Sequence, residues 1–384
     1  MKRIYFDNAA TTKTDRRVVE KMLPYLNNYY GNPSSVHYFG LETKAAIEEA
    51  RETIAKFINA DPSEIYFTSG GTEANNFILK GAAIQSFLDE GKNAILASAV
   101  EHHSVMEPLV ELERENFKIN YIQVLNDSRI DLENLKQKLT PFTSIVSVMH
   151  VNNETGAINN IEEISTLKEN FNFILHTDAV QSLGKIPVDV KELGVDFLSA
   201  SAHKFHGPKG IGFAYVKNQS PIKAFITGGA QERKRRGGTE NVPAIIGLAE
   251  AIKILTSEMQ EQREKVEKIY NRFNESLLTD FKHIRINRSS KKIPHILSIT
   301  FPEEFYTGSA EEMIMFLDVH GIAASYGAAC SSGTLSPSHV MLAMGMPEED
   351  ARGTLRFSFS HFNTPDEVDF CLKVIQKLHS KFHR

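Results

Sequence analysis

The stretch DFLSASAHKFHGPKGIGF, residues 196–213, decides the fold. Its apolar start reads as a strand over Val195–Ser199 that runs out into Ser201, His203 and Lys204, after which Gly207, Pro208 and Gly210 break the regular backbone. Taken alone, a lysine there is a surface ammonium, the common fate of lysines. It means more if the strand belongs to a parallel sheet, because ligands gather beyond the carboxyl ends of such strands. An amine in that place whose pKa is lowered by its surroundings can form a Schiff base with an aldehyde.

Working outward, residues 60 to 216 alternate short β-branched and aromatic runs with helical patterns, the signature of βαβ units. The expected strands are Glu64–Thr68, Asn93–Ala97, Lys118–Val124, Ser144–His150, Phe173–Thr177, Val195–Ser199 and Gly212–Val216. The fold class is therefore α/β, with a mainly parallel seven-stranded sheet in a large domain. From Pro243 to about Phe281 one long amphipathic helix follows, its second half heavily charged. Beyond it HILSITF, GIAAS and LRFSFS read as strands, and AEEMIMFLDVHG and DEVDFCLKVIQKLHSKF as helices, giving a smaller α/β C-terminal domain. We expect the large domain over residues 15–255 and the small one over 256–384, with residues 1–14 packing near the latter.

The 384 residues are 41% hydrophobic and 24% charged, the balance of a globular protein, and no apolar run is long enough to span a bilayer. MKRIYFDNAATT has no apolar signal core, so a cytoplasmic protein is expected. The net charge of -5 argues against direct nucleic-acid binding, and the basic run Arg233, Lys234, Arg235 and Arg236 reads as a solvated surface. The two cysteines, Cys330 and Cys371, are expected to remain thiols. Cys371 shares helical spacing with Val368, Leu372 and Ile375 and reads as an inert core thiol, whereas Cys330 sits among Gly327, Ala328, Ala329, Ser331, Ser332 and Gly333, small residues that suit a moving segment.

If Lys204 holds an aldehyde, pyridoxal phosphate is the candidate, and that cofactor asks for a carboxylate at its pyridinium nitrogen, an aromatic surface and donors for its phosphate. HTDAVQS offers Asp178 just past a strand, with Gln181 three residues on as a hydrogen-bond donor to the ring's phenolic oxygen. TSGGTEANN leads from a strand into a helix, so Gly70 and Gly71 permit close backbone approach and Thr72 adds a hydroxyl at the helix N-terminus, a phosphate cradle. In SAVEHHSV one imidazole can stack on the ring, and in HVNNETG an amide can contact ring or substrate. His102, His103, His203 and His206 also invite a metal reading, but no HExxH or CxxC spacing occurs, and a metal leaves Lys204, Asp178 and the Gly-Gly-Thr turn unexplained; we expect no metal.

Together these segments resemble the cysteine desulfurases of the NifS and IscS group, class V aminotransferases of pyridoxal-phosphate fold type I. The resemblance spans nearly the whole chain: YFDNAATT, YGNPSS, TSGGTEANN, EHHSV, NNETG, HTDAVQS, SAHKFHGPKGIG, RRGGTEN, the Cys330 segment YGAACSSGTLSPS, and LRFSFSHFNTPDEVD. It implies that Lys204 is the Schiff-base lysine, His102 the stacked imidazole, Asp178 the partner of the pyridinium nitrogen and Gln181 the contact to the phenolic oxygen. It implies a phosphate cradle of Gly71, Thr72, Ser201 and His203, completed by Thr239 of the opposite subunit in a homodimer. Asn153 and Arg356 match the family's substrate-carboxylate contacts, and a guanidinium fork suits that geometry. Arg356 alone could equally be an ion-pair partner.

Cys330 then resembles the nucleophile that removes sulfur from L-cysteine, leaving a persulfide for a transient acceptor protein, either an iron–sulfur scaffold or a tRNA-thiolation enzyme. GTLSPSHV resembles the longer loop of the NifS and IscS subgroup rather than the shortened SufS loop. The alternatives are a selenocysteine lyase or another enzyme of the aminotransferase fold, which would share Lys204 and Asp178 without requiring Cys330, and a thiol sensor with no cofactor.

Overall fold

The structure, a computed structural model, describes residues 3–327 and 337–384. In chain order the strands are β1 (Ile4–Tyr5), β2 (Ile65–Thr68), β3 (Ala94–Ser98), β4 (Lys118–Ile122), β5 (Thr143–Ser147), β6 (Ile174–Asp178), β7 (Phe197–Ser201), β8 (Gly212–Val216), β9 (Arg285–Asn287), β10 (Ile296–Thr300), β11 (Ile322–Ala323) and β12 (Thr354–Ser358). Strands β2 to β8 build one sheet in the order β2-β8-β7-β6-β5-β3-β4. Strands β7, β6, β5, β3 and β4 run parallel, and β8 alone is antiparallel to both its neighbours, β7 and β2.

The expected segments are these seven strands, with ends displaced by up to three residues. The largest displacement is at β5, which ends at Ser147 rather than His150. There Val148 and His150 still donate to the carbonyls of His176 and Asp178, at 3.1 and 3.0 Å, as the chain peels away toward the site.

Why the sheet is apolar on both faces follows from its sandwich. Ile65, Phe67, Val146, Leu198 and Phe213 point into one core with Ile47 and Ile54 of the helix Tyr38–Phe57 and Ile245, Ile252 and Leu255 of the helix Val242–Asp280. Tyr66, Ile145, Phe197 and Ala214 point into the opposite core with Phe77, Ile78 and Leu109 of the helices Gly71–Glu90 and His103–Arg114. Successive strand side chains alternate between the faces, so a sheet covered on both sides carries apolar residues on each.

The 39-residue helix Val242–Asp280, about 58 Å long at 1.5 Å per residue, ties two regions together. Its first half lies in the sheet core, and Val266, Ile269, Phe273 and Leu277 of its second half join another core with Leu297, Leu355, Phe357, Val368 and Cys371. There β12, β10 and β9 form an antiparallel sheet, and β1 pairs in parallel with β11. Cys371 is a fully buried free thiol whose pKa is pushed well up by burial, in keeping with a core role.

The basic run is not a solvated patch throughout. Glu232, Arg233 and Lys234 all adopt left-handed backbone, with φ of 42°, 54° and 64°. That turn is held because Glu232 is buried against Arg51, at 2.7 and 3.0 Å, and accepts from the Phe67 amide at 2.8 Å. Arg233 lies over the Tyr66 ring at 4.3 Å and Arg236 pairs with Glu73 at 3.0 Å. The side chains of Arg51 and Glu232 are 4% and 2% exposed, so losing Arg51 strands a buried carboxylate, and losing Glu232 leaves Arg51 with the more distant, exposed Glu48 at 3.3 Å. Arg51→Ala or Glu232→Ala is therefore predicted to destabilise the fold by about 3–5 kcal/mol. The denaturant midpoint measures it, and an unchanged midpoint would contradict the ion pair's role.

Candidate active site

The carboxyl ends of β2, β3, β5, β6 and β7 deliver polar groups to a cavity of about 260 Å³. From β2 the chain turns at Gly70 into the helix Gly71–Glu90; a Cβ at Gly71 would stand 2.7 Å from Cγ2 of Val180, which would have to shift to admit it. Thr72 is exposed in the first helical turn, beside Ser201 and His203 in the cavity wall. After β3, His102 caps the helix His103–Arg114: its Nδ1 accepts from the Ser104 amide at 3.1 Å and lies 2.9 Å from Ser104 Oγ. Asp178 ends β6, and Lys204 lies in the short turn Ala202–Lys204 after β7.

Asp178 is buried and accepts from Asn75 Nδ2 and from the Val180 amide, at 2.8 and 2.9 Å. Burial pushes its carboxyl pKa up against those two hydrogen bonds. A cation close by, such as a protonated ring nitrogen, would favour the ionised form. Lys204 Nζ donates to the carbonyls of Ala9 and Ala10, at 2.6 and 2.9 Å. Gln181 Nε2 donates to the same Ala9 carbonyl at 2.9 Å while its Oε1 accepts from the buried ammonium of Lys185. Burial, together with the charges of Lys204 and Arg356, lowers the Lys185 pKa to about 7.

At the other end of the cavity Arg356, on β12, pairs with Asp7 at 2.9 Å and donates to the Asn153 carbonyl at 3.0 Å. Its buried Nε has no partner among the described residues. That half-used fork can take a carboxylate, which orients best on two parallel N–H groups.

Gly71, Thr72, His102, Asn153, Asp178, Gln181, Ser201, His203, Lys204 and Arg356 thus line one cavity. Thr239 is exposed and is not part of that lining, and Cys330 lies outside the described residues. Among the described residues no cluster of three or more His, Cys, Asp or Glu could hold a metal ion, and no helix is long and apolar enough to cross a membrane. Sequence reasoning missed Asp7, Asn75, Ser104, Lys185 and the Ala9 and Ala10 carbonyls. Asp7 and Asn75 lay inside quoted motifs, but only the fold shows which side chains they serve.

The site fits pyridoxal phosphate on its own chemistry: an amine held by two carbonyls, a buried carboxylate, an imidazole in the wall, and a helix N-terminus where a Cβ at Gly71 would crowd Val180. With this sheet order, it is the type I architecture of pyridoxal-phosphate-dependent transferases. The aminotransferase class-V family profile matches residues 4–370. A protein named cysteine desulfurase IscS, from Dictyoglomus turgidum, is 43% identical over 383 residues, covering 99% of this chain and 96% of its own. A solved NifS-like protein superposes with a TM-score of 0.91 at 38% identity, covering 99% of this chain and all of its own. Another solved structure, SspA in complex with cysteine, gives a TM-score of 0.82 at 34% identity, over 94% of this chain and 100% of its own. The chain belongs to the aminotransferase class-V family, in its NifS and IscS group, and that family is pyridoxal-phosphate-dependent.

Burial holds several imidazoles neutral: the pKa is lowered to about 4 for His102, His150 and His203, and to about 3 for His176. Because the folded values lie below the ordinary 6.5, the unfolded chain binds these protons first. Their contribution is complete above about pH 6.5 and is lost as pH falls toward 4. Denaturation at stepped pH is expected to show stability falling from pH 7 to 5, with a shallower fall in His176→Gln; a flat profile would contradict the neutral assignment.

Proposed function

We propose that this chain is a cysteine desulfurase that takes L-cysteine, releases L-alanine and carries the sulfur as a persulfide on Cys330. The observation that carries this reading is the convergence of Lys204, Asp178, His102 and Arg356 on one cavity, in a chain whose relatives bear that name. Bound pyridoxal phosphate supplies an electron sink for negative charge at the substrate α-carbon. Lys204 would be its covalent anchor, Asp178 would keep the ring nitrogen protonated, His102 would offer its ring to the cofactor and Gln181 a hydrogen bond to the phenolic oxygen. Gly71, Thr72, Ser201 and His203 would receive the phosphate.

Arg356 and Asn153 hold the substrate carboxylate, which fixes the amino acid with its α-carbon within reach of Lys204. Lys204 Nζ then carries the α-proton. The Cys330 thiolate attacks the substrate sulfur: an S–S bond forms, the C–S bond breaks, and its electron pair stays on the carbon that is protonated to give alanine. The enzyme gains one sulfur, which a thiol of an acceptor protein, an iron–sulfur scaffold or a tRNA-thiolation enzyme, later removes.

The working unit in this reading is a homodimer. Its support is a group of exposed apolar side chains, Leu26, Tyr30, Val36 and Tyr38, which are 62%, 68%, 91% and 70% exposed. A cleft beside the phosphate side, lined by Thr11, Ser69, Thr72 and Lys209, is where Thr239 of the second subunit would enter. We place the protein in the cytoplasm, where the reactive thiol stays reduced. We also take residues 15–255 as the cofactor-binding domain and 256–384 as the smaller one, with residues 1–14 packed near it. The two cores spanned by the long helix support that division.

Lys204→Ala is expected to lose the visible absorbance of the bound cofactor and to cut alanine formation by about 10²–10⁴-fold. Cys330→Ser is expected to keep the absorbance and lose sulfur transfer, and in the unaltered protein mass spectrometry of the Cys330 peptide after exposure to cysteine should find one added sulfur atom. Full turnover by Cys330→Ser would remove the persulfide mechanism.

A further inference from the structure

Four side chains between the helix Gly71–Glu90, the cap of the helix His103–Arg114 and the end of β6 are joined in one line. Asn75 Nδ2 lies 2.8 Å from Asp178 Oδ2 and 2.8 Å from Ser104 Oγ, and Ser104 Oγ lies 2.9 Å from His102 Nδ1. Asn75 is fully buried and Asp178 and Ser104 nearly so, which leaves little water to substitute for any of these contacts.

The directions of the hydrogen bonds can be worked out. A backbone N–H only donates, so the Ser104 amide, 3.1 Å from His102 Nδ1, requires that this nitrogen carry no proton. The two hydrogens of Asn75 Nδ2 are both used, one on Asp178 and one on Ser104 Oγ. The Ser104 hydroxyl accepts from Asn75, and its own hydrogen is left to point at His102 Nδ1. Reversing the Asn75 amide would set its oxygen against Asp178 Oδ2, which an ionised carboxylate forbids. The orientation has a cost, because Asn75 Oδ1 is buried without a partner among the described residues. It persists because both donors are claimed.

We propose that ionised Asp178, through Asn75 and Ser104, fixes His102 as the neutral imidazole with its proton on Nε2. Asn75 and Ser104 are then positioning residues. The groups whose charge acts on His102 are Lys204, His103, His339 and Arg356, all of which disfavour a second proton, as does burial. With Nδ1 taken by Ser104, the nitrogen left for the cavity is Nε2, and it bears hydrogen. His102 therefore presents a donor to the reacting molecule, and the base role falls to Lys204. This division of labour, and the ionised state of Asp178, rest on the desulfurase reading; the unprotonated Nδ1 that the Ser104 amide requires does not. The cofactor enters only as the cation that keeps Asp178 ionised.

The test is nitrogen NMR of the full-length protein, labelled with 15N-histidine and saturated with pyridoxal phosphate, with His102→Gln identifying the resonances. The expected result is an unprotonated Nδ1 and a protonated Nε2 that do not titrate between about pH 6 and 8. In Ser104→Ala and Asn75→Ala the Nδ1 resonance should shift, as a hydrogen bond to it is lost or redirected. If Asn75→Ala does not fold, Ser104→Ala and the unaltered protein decide. A protonated Nδ1, a titration near the ordinary imidazole value, or an Nδ1 resonance unmoved in the folded variants would overturn the proposal. Failure to take up pyridoxal phosphate would overturn the functional reading instead, and the same spectra would still report the tautomer.

Discussion

The Ala9 carbonyl oxygen accepts from Lys204 Nζ and from Gln181 Nε2 at once, and much of the site depends on where that oxygen stands. It is held by a strap of chain, residues 7–12, that joins the β12-β10-β9 sheet to the seven-stranded one. On one side the Ala9 amide donates to Ser358 Oγ at 2.8 Å and Asp7 pairs with Arg356. On the other, the Thr12 amide donates to the His203 carbonyl at 2.9 Å and Thr11 Oγ1 lies 3.1 Å from His203 Nδ1. The turn that carries Lys204 and the strand that carries Arg356 are therefore located by the same few residues. A lysine amine and an arginine fork must be set within fractions of an ångström to act on one small amino acid, and the strap supplies that common reference.

Electrostatics follows from this placement. The cavity gathers the charges of Lys204 and Arg356, with Lys185 buried just behind Gln181, against the carboxylates of Asp7 and Asp178. A phosphate and an amino-acid carboxylate suit that balance. Burial sets the protonation: it lowers the Lys185 ammonium, raises the Asp178 carboxyl, and keeps His102 and His203 neutral. In the proposed reading a neutral His102 matters, because a cationic imidazole beside the cofactor would oppose the protonated ring nitrogen assigned to Asp178.

Much of this was legible in the sequence, for reasons that can be named. The strands are read because a sheet covered on both faces carries apolar residues on each, as in Ile65–Thr68 and Gly212–Val216. Lys204 and Asp178 stand out because they are charged residues where apolar strands stop. Strand ends were less legible, since Val148 to His150 keep hydrogen bonds to β6 after the ladder ends. The partners Asp7 and Asn75 were illegible, because each acts on a residue far away in the chain: Asp7 on Arg356, Asn75 on Asp178. The basic run Arg233 to Arg236 misled for the same reason, since Glu232 and Arg51 fold it onto the sheet edge. Cys330 lies outside the described residues, so its assignment rests on the sequence resemblance.

The central claim is that Lys204, and not its buried neighbour Lys185, is the amine that bonds the cofactor. Lys185 has the lowered pKa that a reactive amine needs, yet it is tied to Gln181 and does not line the cavity, whereas Lys204 does. Borohydride reduction of the protein loaded with pyridoxal phosphate, followed by digestion and mass spectrometry, separates the two. The account predicts a phosphopyridoxyl group on Lys204 alone. A label on Lys185, or none on either lysine, would contradict it.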